Sequence, residues 1–236
     1  MDKSTSINHE FGIIAIYVVG LIMFSIILGT VQGSALIQGL EREQLITFHA
    51  FANLFYFLFL AIALLIWSRT YIFTNQWTYV RHNPPFVFWV SLLGIALMFC
   101  VNWIMAALYS VFGVTELPDN EAALRAIFDN SWYDRVALFA FAVLLAPLVE
   151  ELVFRKGVYN LVFRRLGAFA AIVASSFVFA IVHEFSNILL FAHYFALGGV
   201  LGFVYHYSGR LIYVPIFVHV FQNLFAMSMQ FIDLNL

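Results

Sequence analysis

Phe11–Thr30 is a run of twenty residues without one charged side chain. An α-helix needs about twenty apolar residues to cross the hydrocarbon core of a bilayer. Inside that core each backbone N–H and C=O must be paired within the protein, so a run of this length reads as a helix. The signature returns at His49–Trp67, at Phe86–Leu108 and throughout the second half of the chain. Of the 236 residues, 64% are hydrophobic and 10% are charged, where a soluble domain carries about 25% charged residues. The fold class is therefore all-α: a polytopic membrane helix bundle of about seven transmembrane helices, with six to eight as the range.

Taken in order, Phe11–Thr30 is the first span. It is too long for a signal-peptide core and lacks a small-x-small cleavage site. His49–Trp67 and Phe86–Leu108 follow, and Asn102 inside the third span is placed to bond a neighbouring helix. A polar segment, Tyr109–Arg135, carries Glu116, Asp119, Glu121, Asp129 and Asp134. A short surface helix from Asp119 is expected there, either as part of a solvated connection or as a lid. Span four starts near Val136 and continues to Arg164-Arg165, with Pro147 expected to bend it. Span five follows Gly167 and ends near His183, span six is about Asn187–Tyr205, and span seven leads from Arg210 to near Phe231. One integrated membrane domain results, with N-terminal helices and the acidic loop over residues 1–135 and a helix core holding a polar cavity over residues 136–236. With the amino terminus inside, eight Lys and Arg residues fall on the inner side and three (Arg42, Arg125, Arg135) on the outer. The positive-inside rule then places the amino terminus in the cytoplasm.

Against this background Glu150-Glu151 and Arg155 stand out, because a charge at mid-membrane costs about 2.5–3.5 kcal/mol on insertion scales. Such groups pair, face an internal cavity or do chemistry. Spans four and five are joined by a turn near 166–167, with Glu150 sixteen residues before it and His183 sixteen after. At about 1.5 Å per residue both lie ~24 Å from the turn, so they are expected to face each other. His219 and Asn223, four residues apart, share a face of span seven. Asn223 is expected to approach the same depth. Glu151 and Arg155 have the spacing of a helical ion pair and are expected to neutralise each other and orient Glu150.

A desolvated carboxylate can take a proton from water, with a histidine opposite to hold that water or protonate a leaving amine. A second histidine and an amide can donate to a developing oxyanion. Glu150, His183, His219 and Asn223 thus suffice for peptide hydrolysis without a cofactor. The same residues leave a second reading open, in which Glu150, His183 and His219 ligate a divalent metal such as zinc that activates the water. The string His183-Glu184-Phe185-Ser186-Asn187 is not a zinc-protease His-Glu-x-x-His motif, because position 187 is asparagine.

The strings Glu150-Glu151-x-x-Phe154-Arg155, Phe179-x-x-x-His183 and His219-x-x-x-Asn223, in this order on successive spans, resemble the CAAX-protease and bacteriocin-processing (CPBP, or Abi) family of intramembrane endopeptidases. Phe195-x-x-Gly198-x-x-x-Gly202 resembles that family's glycine-bearing helix. The resemblance covers roughly residues 136–231. It implies that Glu150 and His183 activate water and that His219 and Asn223 form the oxyanion site, on a membrane-associated peptide or protein substrate in a bacterial cell membrane. It also implies an alternative, since relatives include bacteriocin self-immunity and regulatory proteins: a non-catalytic scaffold for a partner membrane protein. Intramembrane carboxylates and histidines also mark ion paths, so a transporter or proton relay is a third reading. The net charge of −2 gives no basic footprint for a nucleic-acid partner. Cys100, alone of its kind, reads as a small buried hydrophobe. His193, Tyr194 and His206 read as packing or interfacial residues.

Overall fold

The computed structural model describes residues 3–34, 39–72, 75–116 and 118–233. Met1, Asp2 and residues 35–38 of the first connector lie outside the described residues. In chain order the helices are α1 (Lys3–Gln32), α2 (Arg42–Ile72), α3 (Asn75–His82), α4 (Pro84–Phe112), α5 (Asp119–Asn130) and α6 (Trp132–Leu138). A π-helical stretch (Phe139–Leu145), α7 (Ala146–Glu151) and a second π-helical stretch (Leu152–Tyr159) follow without a break. The chain closes with α8 (Asn160–His183), α9 (Ile188–Tyr207) and α10 (Tyr213–Asp233).

Six helical runs among the described residues are long and apolar enough to cross a membrane. Their exposed faces carry Phe, Trp, Ile and Val, so the molecule is an integral membrane protein. The fourth run, Trp132–His183, has 52 residues, about 78 Å if it were straight and far more than one ~30 Å hydrocarbon core. It is broken at Gly167, whose φ of 80° and ψ of −175° are non-helical. That left-handed φ suits glycine, which has no Cβ to clash. The chain reverses there, and Phe179 returns to within 5.4 Å of Phe154, ring centre to ring centre. Counting this run as two crossings gives the expected seven.

The bond expected from Asn102 to a neighbouring helix is present. The ring of His193 donates from Nε2 to Asn102 Oδ1 at 2.9 Å and accepts at Nδ1 from the Tyr109 hydroxyl at 2.8 Å, tying α4 to α9. Where α9 crosses α8, a Cβ added at Gly198 would stand 3.1 Å from the Ser176 Cα, so the helix axes approach closely because position 198 has no side chain. Cys100 departs from its expectation, being exposed on the apolar surface of α4 rather than buried. In a bilayer that face meets lipid, an equally apolar setting.

The acidic segment is helical and anchored. Asp134 is fully buried, and its Oδ2 accepts from Thr47 at 3.0 Å, from Asn130 at 2.7 Å and from Ser131. Ile127 and Phe128 of α5 pack with Ala50, Leu138 and Met227. From the amino-terminal half, Ile13, Tyr17, Leu60 and Leu64 share one apolar core with Phe154, Tyr159, Phe179 and Leu201. That core encloses the carboxylates of α7.

Replacing Gly198 by leucine is predicted to destabilise the protein by about 1–3 kcal/mol, because the added atoms overfill a backbone contact. Gly199→Ala serves as the control, its nearest non-local neighbour being Ser176 Oγ at 4.0 Å. Thermal unfolding in detergent should separate the two, and equal midpoints would contradict the packing described.

Candidate active site

Glu150 and Glu151 are both buried and stand on α7, six residues of α-helix between two π-helical stretches. Pro147 explains the first stretch. It has no N–H and its ring crowds the preceding turn. The chain accommodates it by passing to π-type bonding ahead of the proline, with the Ala146 N–H donating to the Phe141 carbonyl, five residues back. Helical φ and ψ hold at Leu145 and Ala146, the residues leading into Pro147. The expected disturbance before the carboxylates is thus a widened helix rather than a broken one.

The adjacent carboxylates point to different partners. Glu151 Oε2 lies 3.0 Å from Arg155 Nε, and both side chains are 0% exposed. The pair is close in distance but not aligned as a hydrogen bond. The Arg155 guanidinium also lies over the Phe179 ring, 5.6 Å from its centre. The other oxygen of Glu151 accepts from His219 Nδ1 at 3.0 Å. This last contact was not legible in the sequence, which pointed only to the i,i+4 spacing within the helix.

Glu150 faces two histidines. Its Oε2 is 3.6 Å from His183 Nε2 and 3.9 Å from His219 Nε2. The antiparallel pairing of Glu150 with His183 is the one anticipated from equal distances to the Gly167 turn. His183 is the last residue of α8, and its Nδ1 is 2.8 Å from the Phe179 carbonyl. A carbonyl only accepts, so Nδ1 carries the proton and Nε2 turns a lone pair toward Glu150 in the neutral ring. The ring packs against Phe179, at 4.2 Å, and against Tyr194, at 4.8 Å. Tyr194 therefore touches a site residue, which its reading as general packing did not foresee. Glu184 Oε1 accepts from Ser186 and Asn187 and so shapes the turn into α9.

Glu150 Oε2 is buried without a hydrogen-bond partner among the described residues. Separations of 3.6 and 3.9 Å exceed a direct hydrogen bond, and two facing acceptors require a hydrogen between them. Three convergent polar atoms, Glu150 Oε2, His183 Nε2 and His219 Nε2, are what a buried water needs.

Asn223 stands one turn beyond His219 on α10, and its Nδ2 donates to the Ala142 carbonyl at 2.8 Å. One amide proton is committed there and a second remains. The structure thus brings Glu150, His183 and His219 together, attaches Glu151 and Arg155 behind them, and anchors Asn223 beside the first π-helical stretch. Glu150, His183 and His219 include the donor types of a metal site. As placed, however, no group of three or more His, Cys, Asp or Glu among the described residues is arranged to hold a metal ion.

Arg155→Met is predicted to destabilise the protein by about 3–5 kcal/mol, the cost of leaving one buried charge without its partner. Combining it with Glu151→Gln should recover part of that loss, since a glutamine can still accept from His219. Chemical unfolding in mixed micelles measures both, and a single-variant cost below about 1 kcal/mol, the level of an exposed pair, would contradict the buried pairing.

Comparisons with known proteins fall on the same region. Residues 131–225 match the family model described as Rce1-like, type II CAAX prenyl endopeptidase. A Bacillus subtilis (strain 168) protein named "Putative membrane peptidase YdiL" is 28% identical over 149 residues, 58% of this chain and 58% of that protein. The membrane-embedded CAAX protease MroQ of Staphylococcus aureus (strain USA300) is 28% identical over 162 residues, 65% of this chain and 62% of that protein. The UPF0177 protein YvdC of Lactococcus lactis subsp. lactis (strain IL1403) is 25% identical over 184 residues, 76% of this chain and 67% of that protein. The aligned region thus spans about three fifths of the length of the first two relatives. No solved structure matches the chain. The three motifs all lie within the matched residues, and over this stretch the chain is similar to the Rce1-like, type II CAAX prenyl endopeptidases.

Proposed function

We propose that the protein is an intramembrane endopeptidase that hydrolyses a peptide bond of a membrane-associated peptide or protein. The observation that carries this reading is the Glu150–His183–His219 arrangement, in which a buried carboxylate oxygen without a hydrogen-bond partner lies 3.6 and 3.9 Å from two imidazole Nε2 atoms. The names of two relatives, a membrane-embedded CAAX protease and a membrane peptidase, point the same way.

Counting protons assigns the roles. A water beside Glu150 Oε2 and His183 Nε2 has two hydrogens, which it donates to these two acceptors. Its lone pairs then face outward for attack on a carbonyl carbon. His219 can donate from Nε2 only when its ring carries both protons, with Nδ1 donating to Glu151. Attack transfers the water proton to Glu150. The developing oxyanion receives His219 Nε2–H and the remaining Asn223 N–H. Glu150 then passes its proton to the leaving nitrogen as the C–N bond breaks. His183 holds the water throughout, its ring fixed by the Phe179 carbonyl and by stacking. The protein would work in a bacterial cell membrane with its amino terminus in the cytoplasm, as the Lys and Arg distribution suggests.

Glu150→Gln keeps the shape of the site and removes the base, with a predicted fall in cleavage of about 10²–10⁴-fold. The test compares peptide termini in membranes from cells expressing wild type or Glu150→Gln at matched levels. Termini that appear only with wild type would identify the substrate. Identical termini, with the cellular effect intact in the variant, would overturn the enzyme reading in favour of a scaffold for a partner membrane protein.

A further inference from the structure

Pro147 and Asn223 come from different helices, and one backbone carbonyl connects them. The first π-helical stretch bonds each N–H to the carbonyl five residues back, and the Ala146 N–H goes to Phe141 in that register. By the same register the Ala142 carbonyl is due a bond from residue 147. That residue is proline, with no N–H to give. The N–H of residue 146, the α-helical alternative, is already used. A membrane interior offers no bulk water to such a carbonyl, and an unmet one is costly there. Asn223 Nδ2 supplies the missing donor at 2.8 Å.

We infer that Pro147 is a positioning residue for Asn223: by withholding the backbone N–H from Ala142, it reserves that carbonyl for the Asn223 amide. A bond to one N–H fixes the plane of the amide, and with it the direction of the second N–H. The consequence for catalysis rests on the endopeptidase reading, in which that second proton meets the oxyanion. The positioning itself does not depend on any activity. It also gives the Ala146-Pro147 pair a purpose that packing alone does not: the proline makes a vacancy in the helix bonding, and α10 fills it from across the bundle.

The test is a double-mutant cycle on the full-length protein in detergent, read by thermal unfolding. Asn223→Ala leaves the Ala142 carbonyl unmet and should lower the midpoint by about 2–4 °C for a chain of this size. Pro147→Ala restores a backbone N–H at the point of the vacancy, so in that background Asn223→Ala should cost less than half as much. Effects of the proline on the unfolded chain occur on both sides of the cycle and cancel. Pro147→Gly restores the same N–H and should give the same coupling. Equal costs of Asn223→Ala in both backgrounds would overturn the inference. If neither proline variant folds, Asn223→Asp decides: a carboxylate cannot donate to Ala142, so this isosteric change should lower the midpoint as Ala does, and wild-type stability would overturn the inference. In the activity arm, Pro147→Ala should reduce cleavage with Asn223 still present. Thermal coupling without that reduction would leave the positioning intact and remove the oxyanion role, whereas absent coupling removes the positioning whatever the activity.

Discussion

Charges buried inside a membrane bundle must be compensated where they stand, and the pairing of Glu151 with Arg155 meets that constraint here. Both side chains are sealed from solvent, and the geometry around them follows from the need to keep them so. Phe179 covers the guanidinium with its face and packs against Phe154. One helical turn on, His183 stacks on the same ring. His219 closes the network from α10 through the second oxygen of Glu151. With these groups mutually held, Glu150 keeps a buried oxygen unmet by a hydrogen bond, with two imidazoles in front of it. Structural and chemical tasks are thus divided between adjacent glutamates that point about 100° apart on a helix.

Backbone irregularity serves the same end. π-helical turns are uncommon, and they concentrate at functional sites. Two of them flank the six-residue α7. The first is tied to Pro147 and brings the Ala142 carbonyl to Asn223. The reversal at Gly167 sets His183 against Glu150, and the close crossing at Gly198 holds α9 against α8 so that Tyr194 reaches the His183 ring.

Much of this was legible in the sequence where simple geometry governs. Equal chain lengths on either side of a turn put Glu150 beside His183, and an i,i+4 spacing put Arg155 beside Glu151. Charge scarcity alone disclosed the membrane class. The rest depended on facts that spacing does not carry. Asn223 was expected at the depth of Glu150, but its partner is the Ala142 carbonyl, eight residues earlier on that helix, and no residue pattern announces that register. The bond from Glu151 to His219 depends on which way two side chains turn between helices 68 residues apart. The same holds for Tyr194 and for the Asn102–His193–Tyr109 chain, whose members read singly as packing or as helix-to-helix glue.

The central claim is that Glu150 and His183 share a water. A high-resolution experimental structure of the protein in lipid tests it most directly. The account predicts an ordered water about 2.6–3.2 Å from Glu150 Oε2 and from His183 Nε2, with His219 Nε2 within reach. A dry site in which Glu150 bonds His183 directly, or a metal ion bound by Glu150 and the two histidines, would contradict it.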